Sequence, residues 1–276
     1  MGRWDFDPSI IPVTGHQGAR THVPGNTMAA FRYAVGLGVD VIETDIRQTK
    51  DHQLVLIHDE YLDDLTDGKG FIRDLTLEEI RRCHVTSCED FQGSETVSTL
   101  KEFLELVKPY PSLLLNLELK DHPHLEGMER AYDTADRVIA MVEGYGLGDR
   151  VAFNSFSGNL LEHIDTKYRH RYPLQGYYPY FYIGTDHEKS PEEFMTFACM
   201  RHNELGADGK RHPLEGGVCP KEWFDFVIEK GMQPWMDTRV KSREEIRTAY
   251  AYGARMLCSD DPEETLALVR ELGLHP

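Results

Sequence analysis

Short apolar runs alternate with longer amphipathic stretches along the whole chain. The runs predict strands at 11–16, 40–46, 53–58, 112–120, 150–155, 173–178, 214–218, 231–236 and 255–259. The stretches between them predict helices at 26–38, 98–108, 126–146, 158–168, 190–205, 220–230, 241–253 and 261–272. About eight strand–helix units in roughly 250 residues is the size of a closed (β/α)8 TIM barrel. A doubly wound open sheet is the alternative, and it carries a G-x-G-x-x-G turn after its first strand. The turn here reads Gly15-His16-Gln17-Gly18-Ala19-Arg20, without that spacing. Residues 59–97 break the alternation. Rich in Asp, Thr, Gly and Cys, they predict an insertion after the second barrel-strand region, and long ordered excursions of this kind are often functional.

Two strands carry acids on one face only. In 112–120, Leu113, Leu115, Leu117 and Leu119 share one side; Leu114, Asn116, Glu118 and Lys120 share the other. In 40–46, Ile42, Thr44 and Ile46 oppose Val41, Glu43 and Asp45. A barrel strand packs its apolar side on helices, so Glu43, Asp45, Glu118 and Lys120 are expected inside the barrel. Buried carboxylates need cations. One reading pairs these acids with Arg or Lys at the rim. The other gives Glu43, Asp45 and Glu118 one divalent metal ion, Mg2+ or Ca2+ with Mn2+ as a further option, since hard cations take oxygen ligands. Recurrence of the pattern on two strands favours the metal.

Two histidines end apolar runs, His16 after 11–15 and His58 after Leu54-Val55-Leu56-Ile57. Imidazole titrates near neutrality, so such a pair suits acid–base chemistry on either side of one reacting centre.

Charge and composition narrow the partners. The 276 residues carry 30 basic against 47 acidic side chains, a net charge of -17, which argues against a nucleic-acid backbone as partner. No apolar run approaches the roughly 18 residues of a membrane span, and no secretory signal is visible, so no stable membrane anchor is expected. Five scattered cysteines without a C-x-x-C pair suggest neither a disulfide framework nor a zinc knuckle, and point to the cytoplasm. With 40% hydrophobic residues and no linker-like tract, residues 1–276 are expected to form one domain. Oligomeric state is not legible.

These residues also fall into an ordered set of motifs. His16-Gln17-Gly18, Pro24-Gly25-Asn26-Thr27, Ile42-Glu43-Thr44-Asp45, Thr49-Lys50-Asp51 and Leu54-Val55 with His58-Asp59 come first. Val97-Ser98-Thr99-Leu100, Asn116-Leu117-Glu118-Leu119-Lys120, Ser155-Phe156 and Ser259-Asp260-Asp261-Pro262 follow. The set resembles the glycerophosphodiester phosphodiesterase family, whose pattern is H-R-G, P-E-N-T, IE-x-D, TKDG, VV-x-HD, I-P-T-L, N-I-E-I-K and T-D-x-P. The resemblance implies a (β/α)8 barrel with an insertion and hydrolysis of a small-molecule phosphodiester. It implies metal ligands at Glu43, Asp45 and Glu118, with Lys120 beside them. His16 and His58 become the catalytic pair, His16 in the base's part and His58 in the acid's. A vicinal hydroxyl of the substrate attacks phosphorus and water opens the cyclic phosphate.

Three positions depart from that pattern: Gln17 for Arg, Gly25 for Glu, and Trp235-Met236-Asp237-Thr238 for W-T-V-N. They touch the mouth of the site, so an altered substrate is expected, for example a sugar-containing, opine-like phosphodiester or a lysophospholipid headgroup. Arg20 is a candidate to replace the arginine's phosphate contact. Tyr178 and Trp235, at strand ends, are candidates to line the mouth, alongside packing roles. Releasing the cyclic phosphate in a phospholipase D-like reaction, and binding a sugar phosphate without catalysis, are the competing readings. His122-Pro123-His124 is an H-x-H metal motif, but it trails the strand and reads better as a rim loop.

Overall fold

The computed structural model describes residues 2–88, 91–238 and 240–276. Strand β1 (Val13–Gly15) is followed by helix α1 (Met28–Leu37), which Thr27 caps by accepting a bond from the Ala30 amide. Strand β2 (Val41–Gln48) is buried along its full length. Its last residues pair antiparallel with β3 (Leu54–Leu56), and β3 pairs with β4 (Ser98–Thr99). Between β3 and β4 runs the expected insertion, which holds the short helix α2 (Leu77–Ile80) and a small core of its own around Ile57, Leu62, Ile72, Ile80 and Val97.

The units after the insertion are regular. They run α3 (Leu100–Val107), β5 (Leu114–Leu119), α4 (Pro123–Glu126), α5 (Met128–Gly144), β6 (Val151–Asn154), α6 (Gly158–Tyr168) and β7 (Leu174–Tyr178). Then come α7 (Pro191–Phe194), β8 (Phe197–Met200), a hairpin of β9 (Asn203–Leu205) and β10 (Arg211–Pro213), and α8 (Lys221–Glu229). Strand β11 (Gln233–Met236), α9 (Arg243–Tyr252), β12 (Leu257–Ser259) and α10 (Pro262–Glu271) complete the chain.

Strands β1, β2, β5, β6, β7, β8, β11 and β12 pair in parallel in that order, and β12 returns to β1. The ring is therefore a closed (β/α)8 barrel. The alternation in the sequence sorts the two faces as expected. Ile42, Ile46, Leu115, Leu117 and Leu119 join the outer core under the helices. Val41 and Leu114 point inside, where they form a plug with Trp4, Ala152, Phe197, Trp235 and Met256. No helix among the described residues is long and apolar enough to cross a membrane.

Three expectations for local structure are corrected. Residues 190–205 are not one helix: a capping box at Ser190 and Glu193 starts one turn, and the run Phe197-Ala198-Cys199-Met200 becomes barrel strand β8, fully buried. Residues 214–218 form no strand, and 53–58 contributes an antiparallel strand outside the barrel ring.

Trp4 closes the plug, with its ring 5.8 Å from Trp235 and 5.6 Å from Phe197. Trp4→Ala is expected to cost about 3–5 kcal/mol, the usual range for emptying a buried aromatic site. Urea unfolding measures this, and an unchanged midpoint would show that the plug does not need the ring.

Candidate active site

Strands β2 and β5 run side by side in a register that places Asp45 opposite Glu118 and Glu43 opposite Asn116. Alternation turns all four inward, with Asp45 and Glu118 one inward step nearer the C-terminal ends of the strands than Glu43 and Asn116. Glu43, Asp45 and Glu118 each offer an oxygen within 4.8 Å of the others, and all three side chains are buried. Lys120, one residue beyond β5, brings Nζ to 2.5 Å from Glu118 Oε1 and 3.2 Å from Asp45 Oδ1.

The three acids are served unequally. Asp45 Oδ2 accepts from Gln17 Nε2 at 2.6 Å and from Asn26 Nδ2 at 2.8 Å. Burial alone would raise its pKa, but Lys120, His58, His16 and the Asn26 bond together hold it below the ordinary carboxylate value. Among the described residues, Glu43 accepts one hydrogen bond, from the Gln17 backbone amide, at 3.0 Å. Burial, then the charges of Asp45 and Glu118, push Glu43 well above the ordinary range. Glu43 Oε1, Asp45 Oδ1 and Glu118 Oε1 are each buried without a hydrogen-bond donor, although the last two lie at ion-pair distance from Lys120. Three acids against one lysine leave negative charge uncompensated. Such an all-oxygen donor set fits a hard divalent cation.

Two imidazoles stand nearby. His16 follows β1 directly, and its amide bonds to the Ser259 carbonyl of neighbouring β12. Its Nδ1 lies 2.6 Å from Asp260 Oδ1, and its Nε2 lies 3.8 Å from Glu43 Oε2. His58 lies two residues beyond β3, where the buried Arg47 side chain donates to its carbonyl at 3.1 Å. His58 Nδ1 lies 2.5 Å from Asp59 Oδ1. A carboxylate that accepts a hydrogen bond from Nδ1–H fixes the tautomer and leaves Nε2 for proton exchange. The bond from His58 lowers the Asp59 pKa; for Asp260, burial pushes up, but the His16 bond together with the charges of His16, Arg20 and Lys241 brings it below the ordinary value. Asp59 and Asp260 are site residues to which sequence reasoning gave no role. Asp59 adjoins its histidine in the chain, but Asp260 reaches His16 only because the barrel closes.

Beside the carboxylates lies a cavity lined among others by His16, Glu43, Glu118, Tyr177, Arg201 and Asp237. Tyr177, not Tyr178, reaches it: the Tyr177 hydroxyl can donate to Glu118 Oε2 or Asn154 Oδ1, each at 3.1 Å. Tyr178 packs against Trp223 and Phe226 of α8 and does not line the cavity. Trp235 belongs to the interior plug and also borders the cavity.

Gln17 is turned into the carboxylates and buried, and Arg20 sits half-exposed with Nε 3.7 Å from Asp260 Oδ1. Gly25 fits closely under Gln17. A Cβ at position 25 would lie 2.6 Å from Gln17 Oε1 and 3.0 Å from its Cβ. His122 and His124 stack on each other and do not join the acids. Burial, reinforced by Lys120 and Arg47, pushes His122 down to about 3, so it stays neutral.

The Glycerophosphoryl diester phosphodiesterase family matches this chain over residues 16–264. A glycerophosphodiester phosphodiesterase from Caldanaerobacter subterraneus subsp. tengcongensis is 31% identical over 269 residues, covering 95% of this chain and 98% of the relative. A solved structure from Silicibacter pomeroyi, assigned by name to the glycerophosphoryl diester phosphodiesterases, superposes with a TM-score of 0.80 at 21% identity, covering 99% of this chain and 97% of its own. An Oleispira antarctica phosphodiesterase, solved in complex with its product sn-glycerol-3-phosphate, superposes with a TM-score of 0.72 at 20% identity, covering 95% and 97%. Those two likenesses speak to the fold. The span of the family match and the identity of a near full-length relative place this chain in the glycerophosphodiester phosphodiesterase family, among the phosphoric diester hydrolases.

Proposed function

We propose that this chain, as one barrel domain, hydrolyses a small phosphodiester whose alcohol carries a hydroxyl vicinal to the ester. Glu43, Asp45 and Glu118 would hold one divalent cation, Mg2+, Ca2+ or Mn2+. Bound there, such an ion supplies charge neutralisation at the phosphoryl oxygens. The observation that carries the reading is the pair of imidazoles, each pinned at Nδ1 by its own aspartate beside the buried acids.

In this reading His16 Nε2 takes the proton of the vicinal hydroxyl as its oxygen bonds to phosphorus. His58 Nε2 gives a proton to the departing alkoxide. The proton roles then reverse as water opens the cyclic phosphate to a monoester. Lys120 keeps Asp45 ionised and holds Glu118 in place. The sn-glycerol-3-phosphate held by the Oleispira antarctica structure supports a glycerol-containing diester as substrate class. All five cysteines are free, which supports a reducing, cytoplasmic setting.

A panel of phosphodiesters with Mg2+, Ca2+ or Mn2+ tests the reading. Turnover is expected with at least one cation and none after EDTA treatment. His16→Ala and His58→Ala are each expected to lower it by at least about a hundredfold. A rate close to wild type in either variant would remove that histidine from the reaction. Phosphorus NMR should show a linear monoester as end product; a cyclic phosphate that persists would instead mean the reaction stops at the first step.

The crowding of the acids has its own signature. Glu43→Gln relieves repulsion in the cation-free protein and removes a ligand. Its melting temperature in EDTA is expected to exceed that of wild type, by about 2–4 °C for each kcal/mol relieved. The rise that added Mg2+ or Mn2+ gives the wild type should disappear. A variant still stabilised by the cation to the wild-type extent would exclude Glu43 as a ligand.

A further inference from the structure

We propose that Arg201 is the side chain that grips the non-bridging oxygens of the substrate's phosphoryl group. The inference rests on the phosphodiesterase reading and adds to it the chain's own anion-binding residue. A phosphodiester is an anion, and the site it enters is lined with acids. Lys120 stands beside the acids, but its ammonium is taken up by Asp45 and Glu118. Gln17 brings no charge, and Arg20 does not line the main cavity. Arg201 does line it, together with His16, Glu43 and Glu118.

Its setting leaves donors to spare. The guanidinium lies over the faces of Phe156, Tyr177 and Tyr182, with Cζ 5.8, 5.9 and 5.5 Å from the ring centroids. Ring faces hold a guanidinium plane while leaving its N–H edges for in-plane acceptors. The Nε is buried and has no hydrogen-bond partner. The Nη1 stands 3.6 Å from Asp237 Oδ2, an ion pair too long for a hydrogen bond.

Two of the same rings reach the acids. Phe156 lies 5.5 Å from Lys120 Nζ, and Tyr177 stacks on Phe156 at 3.7 Å while its hydroxyl can bond to Glu118. The guanidinium thus sits one aromatic layer from the carboxylates. Its planar fork matches two phosphoryl oxygens, as a lysine at the same place would not.

Arg201→Ala and Arg201→Lys test this against wild type, with the cation and diester that the wild type prefers. Arg201→Ala is expected to lower kcat/KM by about thirtyfold and to weaken competitive inhibition by inorganic phosphate at least about tenfold. Methylguanidinium in solution should restore part of the lost rate, which it would not do for a merely structural arginine. Arg201→Lys should fall between the two; if the alanine variant does not fold, phosphate inhibition of the lysine variant decides.

Phosphate inhibition equal to wild type in the folded variants would overturn the proposal. So would a loss confined to substrates whose alcohol carries its own negative charge, because Arg201 would then read the alcohol. Should the wild type turn over no phosphodiester, the functional reading fails. Calorimetric phosphate binding to wild type and Arg201→Lys, in the presence of the cation, would still judge Arg201 by itself.

Discussion

Three carboxylates share a space that the barrel wall keeps from water, and one lysine answers them. That imbalance is the constraint around which the upper half of the barrel is arranged. Asp45 takes the Gln17 and Asn26 amides and shares Lys120 with Glu118, which also faces the Tyr177 hydroxyl. Glu43 is left with one backbone amide. An interior built for stability alone would pair such acids or replace them, because burying an uncompensated charge costs several kcal/mol. The other end of the same barrel shows what that solution looks like. There Trp4, Phe197 and Trp235 stack into an apolar plug. The two ends differ because successive inward positions on β2 and β5 change from Val41 and Leu114 to Glu43 and Asn116, and then to Asp45 and Glu118.

Much of this could be read before any coordinates, for a simple reason. A strand alternates with period two, so one buried apolar face fixes where the other face points. Leu113, Leu115, Leu117 and Leu119 therefore announced that Glu118 and Lys120 lie inside, and Ile42 with Ile46 did the same for Glu43 and Asp45. The method fails where both faces of a strand are buried and the run is short. Phe197-Ala198-Cys199-Met200 offers no alternation, so the helix expected over 190–205 ran straight through it. Arg201 went unnoticed as a consequence, since nothing marked it as the residue just past a barrel strand.

Other parts of the site depend on closure and have no local signature at all. Asp260 holds His16 across 244 positions of sequence, because β12 returns to β1. The choice between Tyr177 and Tyr178 is a matter of parity on β7. Only the observed strand ends settle that the first faces the cavity and the second faces α8. The insertion was visible as a break in rhythm. That it joins the barrel through an antiparallel extension of β2 was not, because 53–58 reads like any other apolar run.

The fit of Gly25 beneath Gln17 ties the mouth of the site to the carboxylates below it. With Gln17 in place, any larger residue at 25 meets its amide head-on. With a larger residue already at 25, Gln17 could not lie as it does across the acids. A side chain added at 25 is seated only if the Gln17 amide swings off Asp45, so position 25 governs whether Gln17 can keep its grip on that carboxylate.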